Sequence, residues 1–347
     1  MRFHLPRRPL SAGAKRGESP RDSRAPQPLP EVKPSVLGLL RDQQKVGARL
    51  ALFADRWKDL APDSNLHELL REGYKLSFRD RPPLTTVPVV FPSPREEERR
   101  VVLEESVRDL LSKGAIEEVQ ELSRPAFYSR LFTVPKKTGG FRPVIDLSRL
   151  NKFLNIPRFK METTRSLSKA IRIGDWAISL DLSDAYLHVP IHPDHRRYLR
   201  FCHEGKVYEF LCLPFGLSTA PWLFTRIVTT LAAVAHKKGM NLHTYLDDWL
   251  LRNQEKRSLS LQRDALISLT QHCGFLINFK KSSLEPTQDF VFIGVRFRTD
   301  LGIMLPPDKR IIDILDRTSS MKVATTVMEG GKGGEVFCND GGKRCSA

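Results

Sequence analysis

The sequence predicts an α+β fold, because short apolar runs suited to strands are interspersed with longer segments of helical periodicity. Residues 176–180 are suited to a buried strand, and residues 199–202 and 207–211 to two strands joined by a turn. Between about 220 and 238, apolar residues recur every three or four positions, which predicts a helix. A hydrophobic content of 40% over 347 residues is sufficient for one or two cores.

The first third of the chain divides into four segments by composition. Residues 1–33 are rich in Pro, Arg and Ser, which predicts a disordered basic tail. Residues 34–80 are predicted to be helical, with an apolar stripe that forms either core or a docking face. Five prolines in residues 81–95 predict an extended linker, and residues 96–113 predict a further helix. The stripe consists of Val46, Leu50, Phe53, Trp57 and Leu60.

The overall composition favours an intracellular protein that binds nucleic acid. A formal net charge of +16 suits phosphate binding, although a generally basic soluble protein would show the same charge. No apolar run reaches ~18 residues, so we expect no transmembrane helix, and the basic N-terminus lacks the apolar stretch of a secretory signal. Five cysteines without CxxC spacing indicate reduced thiols and a cytoplasmic or nuclear location.

Two acidic segments carry the clearest chemical signal. Asp181 ends the predicted strand 176–180, and Asp247-Asp248 lie between strand-like residues, which predicts a β-hairpin with the pair at its tip and Asp247 aimed at the partner strand. Three carboxylates on adjacent strand ends suit Mg²⁺, and two such ions can activate a hydroxyl and stabilise a leaving pyrophosphate. That is the chemistry of a nucleic-acid polymerase. The alternative is that all three are ordinary turn or cap carboxylates.

Six motifs surround and include these acidic segments, in order, between Arg124 and Arg298. They are Phe132–Lys137 with Gly139–Val144, Asp146–Asn151, Leu180–Tyr186, Leu213–Pro221, Tyr245–Asp248, and Gly274–Phe275 and Lys280-Lys281 leading to Phe292–Val295. The series resembles the fingers and palm of a reverse transcriptase, with Phe292–Val295 similar to the primer grip. The Phe215-Gly216 loop, with Phe127–Arg130 before the fingers, is most similar to gypsy-like and DIRS-like retrotransposons.

The resemblance implies a right-hand polymerase palm, an antiparallel sheet with helices on one face, plus fingers. These would occupy residues 96–300, residues 301–320 would begin a thumb, and the Gly- and Lys-rich residues 321–347 would form a disordered tail. A family member usually continues into an RNase H domain, so the open reading frame is expected to be truncated before one.

The resemblance also implies catalytic roles. Asp181 and Asp247 would ligate both catalytic ions, Mg²⁺ with Mn²⁺ as an alternative, and Asp248 would support them. Lys281 would protonate the leaving pyrophosphate, with Lys280 as the competing choice.

A second group is implied to bind the incoming nucleotide. Arg142 and one of two lysines would contact the triphosphate, and Tyr186 would pack under the sugar and select deoxynucleotides, unless it is a core tyrosine. Asp184 either helps to position the triphosphate or caps a turn. The implied residues are Lys136, Lys137, Arg142, Asp184, Ala185, Tyr186, Phe215 and Gly216.

The expected function is RNA-directed DNA synthesis, with an RNA template, a DNA or RNA primer and deoxynucleoside triphosphates as partners. A degenerate or domesticated copy that only binds nucleic acid is the main alternative. An RNA-templated RNA polymerase shares the metal chemistry but is disfavoured by Tyr186 and Phe215-Gly216. His188, His192, His195 and Cys202 lack a common zinc-ligand spacing. The oligomeric state stays open.

Overall fold

The computed structural model describes residues 3–4, 45–62, 64–136 and 139–306. Lys137, the predicted tails beyond residues 3–4, and residues 307–320 of the predicted thumb lie outside the described residues. The strands are β1 (Phe3–His4), β2 (Ile116–Glu118), β3 (Arg130–Pro135), β4 (Phe141–Asp146), β5 (Trp176–Asp181), β6 (Arg200–His203), β7 (Lys206–Phe210), β8 (Asn241–Tyr245), β9 (Asp248–Asn253), β10 (Ser283–Thr287), β11 (Asp289–Phe292), β12 (Val295–Arg298) and β13 (Ile303–Leu305).

Helices flank these strands throughout the described residues. They are α1 (Ala54–Leu60), α2 (Leu66–Glu72), α3 (Glu97–Ser112), α4 (Ser148–Asn151), α5 (Thr164–Ala170), α6 (Pro193–Arg196), α7 (Ala220–Lys237) and α8 (Lys256–His272), with 3₁₀ turns at Arg49–Phe53 and Ala185–His188. None of the helices in the described part of the chain is both long and apolar enough to cross a membrane.

The central sheet has the strand order β10-β5-β9-β8, and its neighbouring strands are antiparallel. Alternate residues of a strand point to opposite faces. Accordingly, Ile178 and Leu180 lie in the main core with helices α7 and α8, whereas Ala177 packs on the other face with Phe292 and Phe297. The predicted palm, an antiparallel sheet with long helices on one face, is therefore confirmed.

Three smaller sheets complete the described fold. Strands β3 and β4 form the hairpin that the fingers resemblance predicted, and β2, β7 and β6 form a sheet beside it. The third sheet has the order β1-β13-β12-β11. The predicted turn between residues 202 and 207 is Glu204-Gly205, which lies between β6 and β7 as expected.

The N-terminal helices pack into the same core as the palm. Leu50, Phe53 and Trp57 of the predicted stripe are buried there, which favours the core interpretation over a free docking face. The Trp57 indole Nε1 donates to the Cys273 carbonyl at 3.0 Å, and Arg49 Nε donates to the Gly274 carbonyl at 2.9 Å. These side chains satisfy carbonyls at the C-terminus of α8, where backbone acceptors lack helical partners.

Two helices show local features that periodicity does not fix. Helix α3 buries mainly Leu103 and Val107, while Leu111 of the same helix is exposed. Thr219 occupies the N-cap position of α7, but its side chain accepts no capping hydrogen bond. The domain boundaries themselves stay a prediction.

His188 is completely buried and held through both ring nitrogens. Its Nδ1 lies 3.1 Å from the Ala185 carbonyl, and its Nε2 accepts a 3.0 Å hydrogen bond from the Leu276 amide. The tautomer with a proton on Nδ1 satisfies both contacts. Burial lowers the pKa of His188 to about 3, so the ring is neutral in the folded protein at neutral pH.

This burial predicts a stability that falls on acidification. Below pH 6.5 the unfolded chain gains a proton at His188 that the folded chain does not bind until about pH 3. The free energy of unfolding should therefore decrease as the pH is lowered through this window, by up to about 1.4 kcal/mol per pH unit. Urea unfolding of wild type and His188→Gln at pH 7, 6 and 5 checks this expectation. Equal slopes against pH for the two proteins would contradict it.

Candidate active site

The three acidic residues meet at one end of the central sheet. Asp181, the last residue of β5, is the direct cross-strand partner of Asp248, the first residue of β9. Asp247 lies in the two-residue turn that joins β8 to β9, and its carbonyl accepts a 2.9 Å hydrogen bond from the Leu182 amide. The structure thus brings together the three residues that the sequence singled out.

The hairpin tip differs by one residue from the prediction. The turn consists of Leu246 and Asp247, so that Asp248, rather than Asp247, is the residue aligned with β5. Leu246 adopts a left-handed conformation with φ of 53°. Such a conformation costs a non-glycine residue about 1–2 kcal/mol and persists where the surrounding structure imposes it.

The carboxylates repel one another. Burial, together with the charges of Asp181 and Asp247, raises the pKa of Asp248 to about 7. Burial also raises the pKa of Asp181; the Lys281 cation opposes this rise and Asp247 adds to it. An accumulation of negative charge of this kind is relieved by a bound cation.

The donor set suits a magnesium ion that also binds substrate. Among the residues that the structure describes, no group of three or more His, Cys, Asp or Glu side chains converges to hold a metal ion. Mg²⁺, however, is usually bound by one or two protein carboxylates, with water and substrate phosphates completing its octahedron. The neighbouring strand ends that carry Asp181 and Asp248 provide such a pair.

Two residues that the sequence analysis missed hold Asp181 in place. The Asn278 amide donates to the Asp181 carbonyl at 2.8 Å, and its side chain hydrogen-bonds the Asp181 carboxylate, which lowers the pKa of that group against the larger effect of burial. The Ser282 hydroxyl oxygen accepts from the Asp181 amide at 3.0 Å. Both residues flank Lys280-Lys281, which belongs to one of the recognised motifs. Their position beside this motif is the feature of the sequence that could have identified them.

The two lysines of that segment differ in their relation to the carboxylates. Both side chains are exposed, but Lys281 is the one whose charge acts on Asp181. This interaction favours Lys281 over Lys280 as the cation nearest the site, and its role as a proton donor stays a prediction.

Tyr186 and Phe215 form a continuous aromatic surface. Tyr186 is buried, and its ring centroid lies 5.0 Å from that of Phe215 and 5.4 Å from that of Phe224. Phe215 is 57% exposed, which is unusual for a side chain of its size. Burial, and then the charge of Asp247, raises the pKa of Tyr186 to about 12, so its hydroxyl stays protonated. The surface suits contact with a sugar or base.

The loop that carries Gly216 is fixed by a side chain from an earlier motif, Asp146–Asn151. Asn151 donates from Nδ2 to the Gly216 carbonyl at 2.9 Å and accepts at Oδ1 from the Ser218 amide, also at 2.9 Å. Gly216 has φ of 89°, a conformation that favours glycine. Asn151 was part of a recognised motif, but its amide pairing depends on tertiary packing that the sequence does not display.

The predicted triphosphate ligands lie on the fingers hairpin. Lys136 and Arg142 are exposed, and the Lys136 amide donates to the Gly140 carbonyl at 2.9 Å to close the turn. Neither side chain forms a hydrogen bond or ion pair with the three carboxylates. Lys137 lies outside the described residues, so the choice between the lysines stays open.

Asp184 has a partner that the sequence did not reveal. It occupies the N-cap position of the 3₁₀ turn that begins at Ala185, but its side chain makes no capping hydrogen bond, so the cap alternative was wrong. Its carboxylate instead lies 3.1 Å from the Lys113 ammonium.

Comparison with known proteins shows which proteins this site resembles in sequence. Residues 134–297 match the sequence model of the family described as "Reverse transcriptase (RNA-dependent DNA polymerase)". Protein P of a duck hepatitis B virus is 30% identical over 201 residues, covering 56% of this chain and 25% of that protein. The Pro-Pol polyprotein of simian foamy virus type 1 is 26% identical over 188 residues, covering 54% of this chain and 16% of that protein. The chain thus spans about a quarter of the length of Protein P and a smaller share of the polyprotein.

Solved structures support the same fold. A foamy viral protease–reverse transcriptase in complex with double-stranded DNA matches with a TM-score of 0.52 at 21% identity, covering 80% of this chain and 48% of that chain. The native protease–reverse transcriptase of prototype foamy virus matches with a TM-score of 0.50 at 22% identity, over 64% of this chain and 29% of that chain. These matches confirm the polymerase fold, and none of these proteins tests the predicted retrotransposon lineage. Residues 134–297 of this chain are therefore similar in sequence to reverse transcriptases, and the chain has the polymerase fold.

Proposed function

We propose that this chain is an RNA-directed DNA polymerase, which adds deoxynucleotides to the 3′-hydroxyl of a primer by a two-metal mechanism. The observation that carries the proposal is the cross-strand pairing of Asp181 with Asp248, with Asp247 in the adjoining turn. This arrangement lies inside the segment that matches the reverse transcriptase family.

Because no three carboxylates among the described residues converge on one metal position, the acidic residues would hold the ions together with water and substrate phosphates. Two Mg²⁺ ions, or Mn²⁺, bound by Asp181, Asp247 and Asp248 would lower the pKa of the primer hydroxyl and stabilise the negative charge on the leaving pyrophosphate. Asn278 and Ser282 fix the backbone of Asp181, and this limits how far its carboxylate moves between turnovers. Lys281, whose charge lowers the pKa of Asp181 against the effect of burial, would give a proton to the pyrophosphate.

The nucleotide would lie between the fingers hairpin and the aromatic surface. Arg142 supplies a fork of donors for phosphate oxygens, and Lys136, or Lys137 in its place, supplies a point charge. Tyr186 and Phe215, whose ring centroids lie 5.0 Å apart, would face the sugar, where the Tyr186 ring would exclude a ribose 2′-hydroxyl.

The proposed partners are an RNA template, a DNA or RNA primer and deoxynucleoside triphosphates. The net charge of +16 supports binding of a nucleic-acid backbone by counterion release. We further propose an origin in a gypsy-like or DIRS-like retrotransposon and an intracellular location. The lineage rests on the Phe215-Gly216 loop and the Phe127–Arg130 segment.

Primer extension on poly(rA)–oligo(dT) with Mg²⁺ tests the function. Wild type, the Asp247→Asn/Asp248→Asn double variant and the control Asp264→Asn, an exposed residue of α8, would be compared with dTTP and with UTP. We expect wild type and control to incorporate dTTP and to discriminate against UTP. The double variant should incorporate neither nucleotide. If wild type binds the duplex in a salt-sensitive manner but incorporates no nucleotide, the proposed activity is wrong. That result would instead support a degenerate or domesticated reverse transcriptase copy that only binds nucleic acid.

A further inference from the structure

A cavity of about 250 Å³ lies between helix α3, the β3–β4 hairpin and the palm. Its wall includes three of the predicted nucleotide-binding residues, Asp184, Phe215 and Gly216. The same wall includes Lys113, which follows the end of helix α3 and was given no role by the sequence. A cation from the fingers therefore lies beside residues that the proposed function assigns to the nucleotide.

Lys113 connects helix α3 to the palm through two ion pairs. Its Nζ lies 2.8 Å from Asp109 Oδ2, on its own helix, and 3.1 Å from Asp184 Oδ2, on the palm. Burial alone would lower the pKa of Lys113, but the hydrogen bonds and negative charges of Asp109 and Asp184 raise it. The side chain is therefore a permanent cation at neutral pH.

Asp184 adopts a backbone conformation that needs support. Its φ is 45°, in the left-handed region that aspartate adopts more readily than most residues but less readily than glycine. Its carbonyl accepts a 2.9 Å hydrogen bond from the Leu187 amide, which begins the 3₁₀ turn Ala185–His188. Because its side chain makes no capping bond, the contact with Lys113 is the ion pair that opposes relaxation of this strained residue.

A shift in the backbone of Asp184 would displace the aromatic surface formed by Tyr186 and Phe215. Ala185 and Tyr186 follow it in the chain, and the Tyr186 ring is packed against Phe215 at 5.0 Å. Phe215 and Asp184 also share the cavity wall. A change at Lys113 can therefore alter the surface that is proposed to contact the sugar without touching the three carboxylates.

We propose that Lys113 is a positioning residue for the incoming nucleotide: its ion pair with Asp184 holds the strained turn that presents Ala185 and Tyr186. This inference rests on the proposed function and extends it to a residue of the fingers. It predicts that the loss of Lys113 weakens nucleotide binding and leaves the chemical step nearly unchanged.

Steady-state incorporation of dTTP by variants of the 347-residue chain tests the inference. We expect Lys113→Met to raise KM for dTTP about three- to fivefold, the range that a partly exposed ion pair can supply, with kcat within about twofold of wild type. Lys113→Arg retains the cation and should restore most of KM. Arg108→Met is the matched control. Arg108 lies on the same helix, its replacement removes the same charge, and among the described residues it pairs only with the exposed Glu104.

A double-mutant cycle separates the palm contact from the helix contact. Asp184→Asn should raise KM as much as Lys113→Met does, and the two changes together should add little to either one. Asp109→Asn, which removes the partner on the helix itself, should have a smaller effect. The inference would be overturned if the increases in KM caused by Lys113→Met and Asp184→Asn multiplied in the double variant. It would also be overturned if Asp109→Asn or Arg108→Met raised KM as much as Lys113→Met does, or if kcat fell while KM stayed constant.

Direct binding of dTTP in the presence of Mg²⁺ and duplex, measured by titration calorimetry, distinguishes this inference from the proposed function. If wild type binds dTTP but does not polymerise, the proposed function fails; a threefold weaker binding by Lys113→Met would still support the positioning role. Equal binding by Lys113→Met and wild type, or no binding by wild type, would overturn that role. Melting temperatures of all variants show whether each change in binding comes from unfolding.

Discussion

Replacement of Asp181 by asparagine is expected to slow dTTP incorporation by roughly three orders of magnitude, equivalent to about 4 kcal/mol of transition-state stabilisation. Asn keeps the shape of the side chain and removes its charge, so a metal ligand is lost while the backbone contacts with Asn278 and Ser282 remain. Primer extension under single-turnover conditions measures this loss.

The same substitution should not destabilise the fold. Burial raises the pKa of Asp181, which means that its ionised form is less favourable in the folded protein than in the unfolded chain. Neutral asparagine is therefore expected to maintain or increase the melting temperature at pH 7. The exposed Asp264→Asn should match wild type in both measurements. Retention of more than a tenth of the wild-type rate by Asp181→Asn would contradict a ligand role for this carboxylate.

Substitution of Gly274 by alanine is expected to lower the free energy of unfolding by about 3 kcal/mol. Gly274 has φ of 94°, and an added Cβ would lie 2.6 Å from the Phe53 ring. Phe53 cannot move away freely, because it is buried and lies between the guanidinium groups of Arg49 and Arg56, 5.0 and 4.8 Å from its centroid. Urea unfolding at neutral pH measures the change.

Gly294→Ala is the matched control for this prediction. Gly294 also has a positive φ, 68°, but nothing lies within 4 Å of its added Cβ. Gly294→Ala should therefore lower the free energy of unfolding only by the cost of the left-handed backbone conformation, about 1 kcal/mol. Equal decreases in the free energy of unfolding for the two variants would contradict the steric account. They would show that Phe53 moves away from the added Cβ at little cost.

The palm was predictable because its strands and helices follow local rules. Strand β5 and helix α7 lie where periodicity placed them, within a residue or two at each end. The hairpin was predicted as well, but its tip was displaced by one residue, since the turn geometry depends on how β8 pairs with β9. Hydrophobic alternation fixes the faces of a strand and does not fix the residue at which a turn begins.

The supporting polar contacts of the site were not predictable. Asn278 and Lys113 lie outside the recognised motifs and Asn151 lies in one without a predicted role, and each acquires its role from a partner that is distant along the chain. The burial of Trp57 against α8 was likewise visible only as one of two alternatives, because a helical apolar stripe does not identify the surface that covers it.

Template-directed incorporation on an RNA of mixed sequence tests the central claim most directly. A DNA primer is annealed so that the next template base is A, C, G or U, and each deoxynucleotide is supplied separately with Mg²⁺. RNA-directed DNA synthesis predicts that wild type adds only the deoxynucleotide complementary to each template base. Addition regardless of the template base, or no addition by protein that has bound the duplex, would contradict the assignment of this chain as an RNA-directed DNA polymerase.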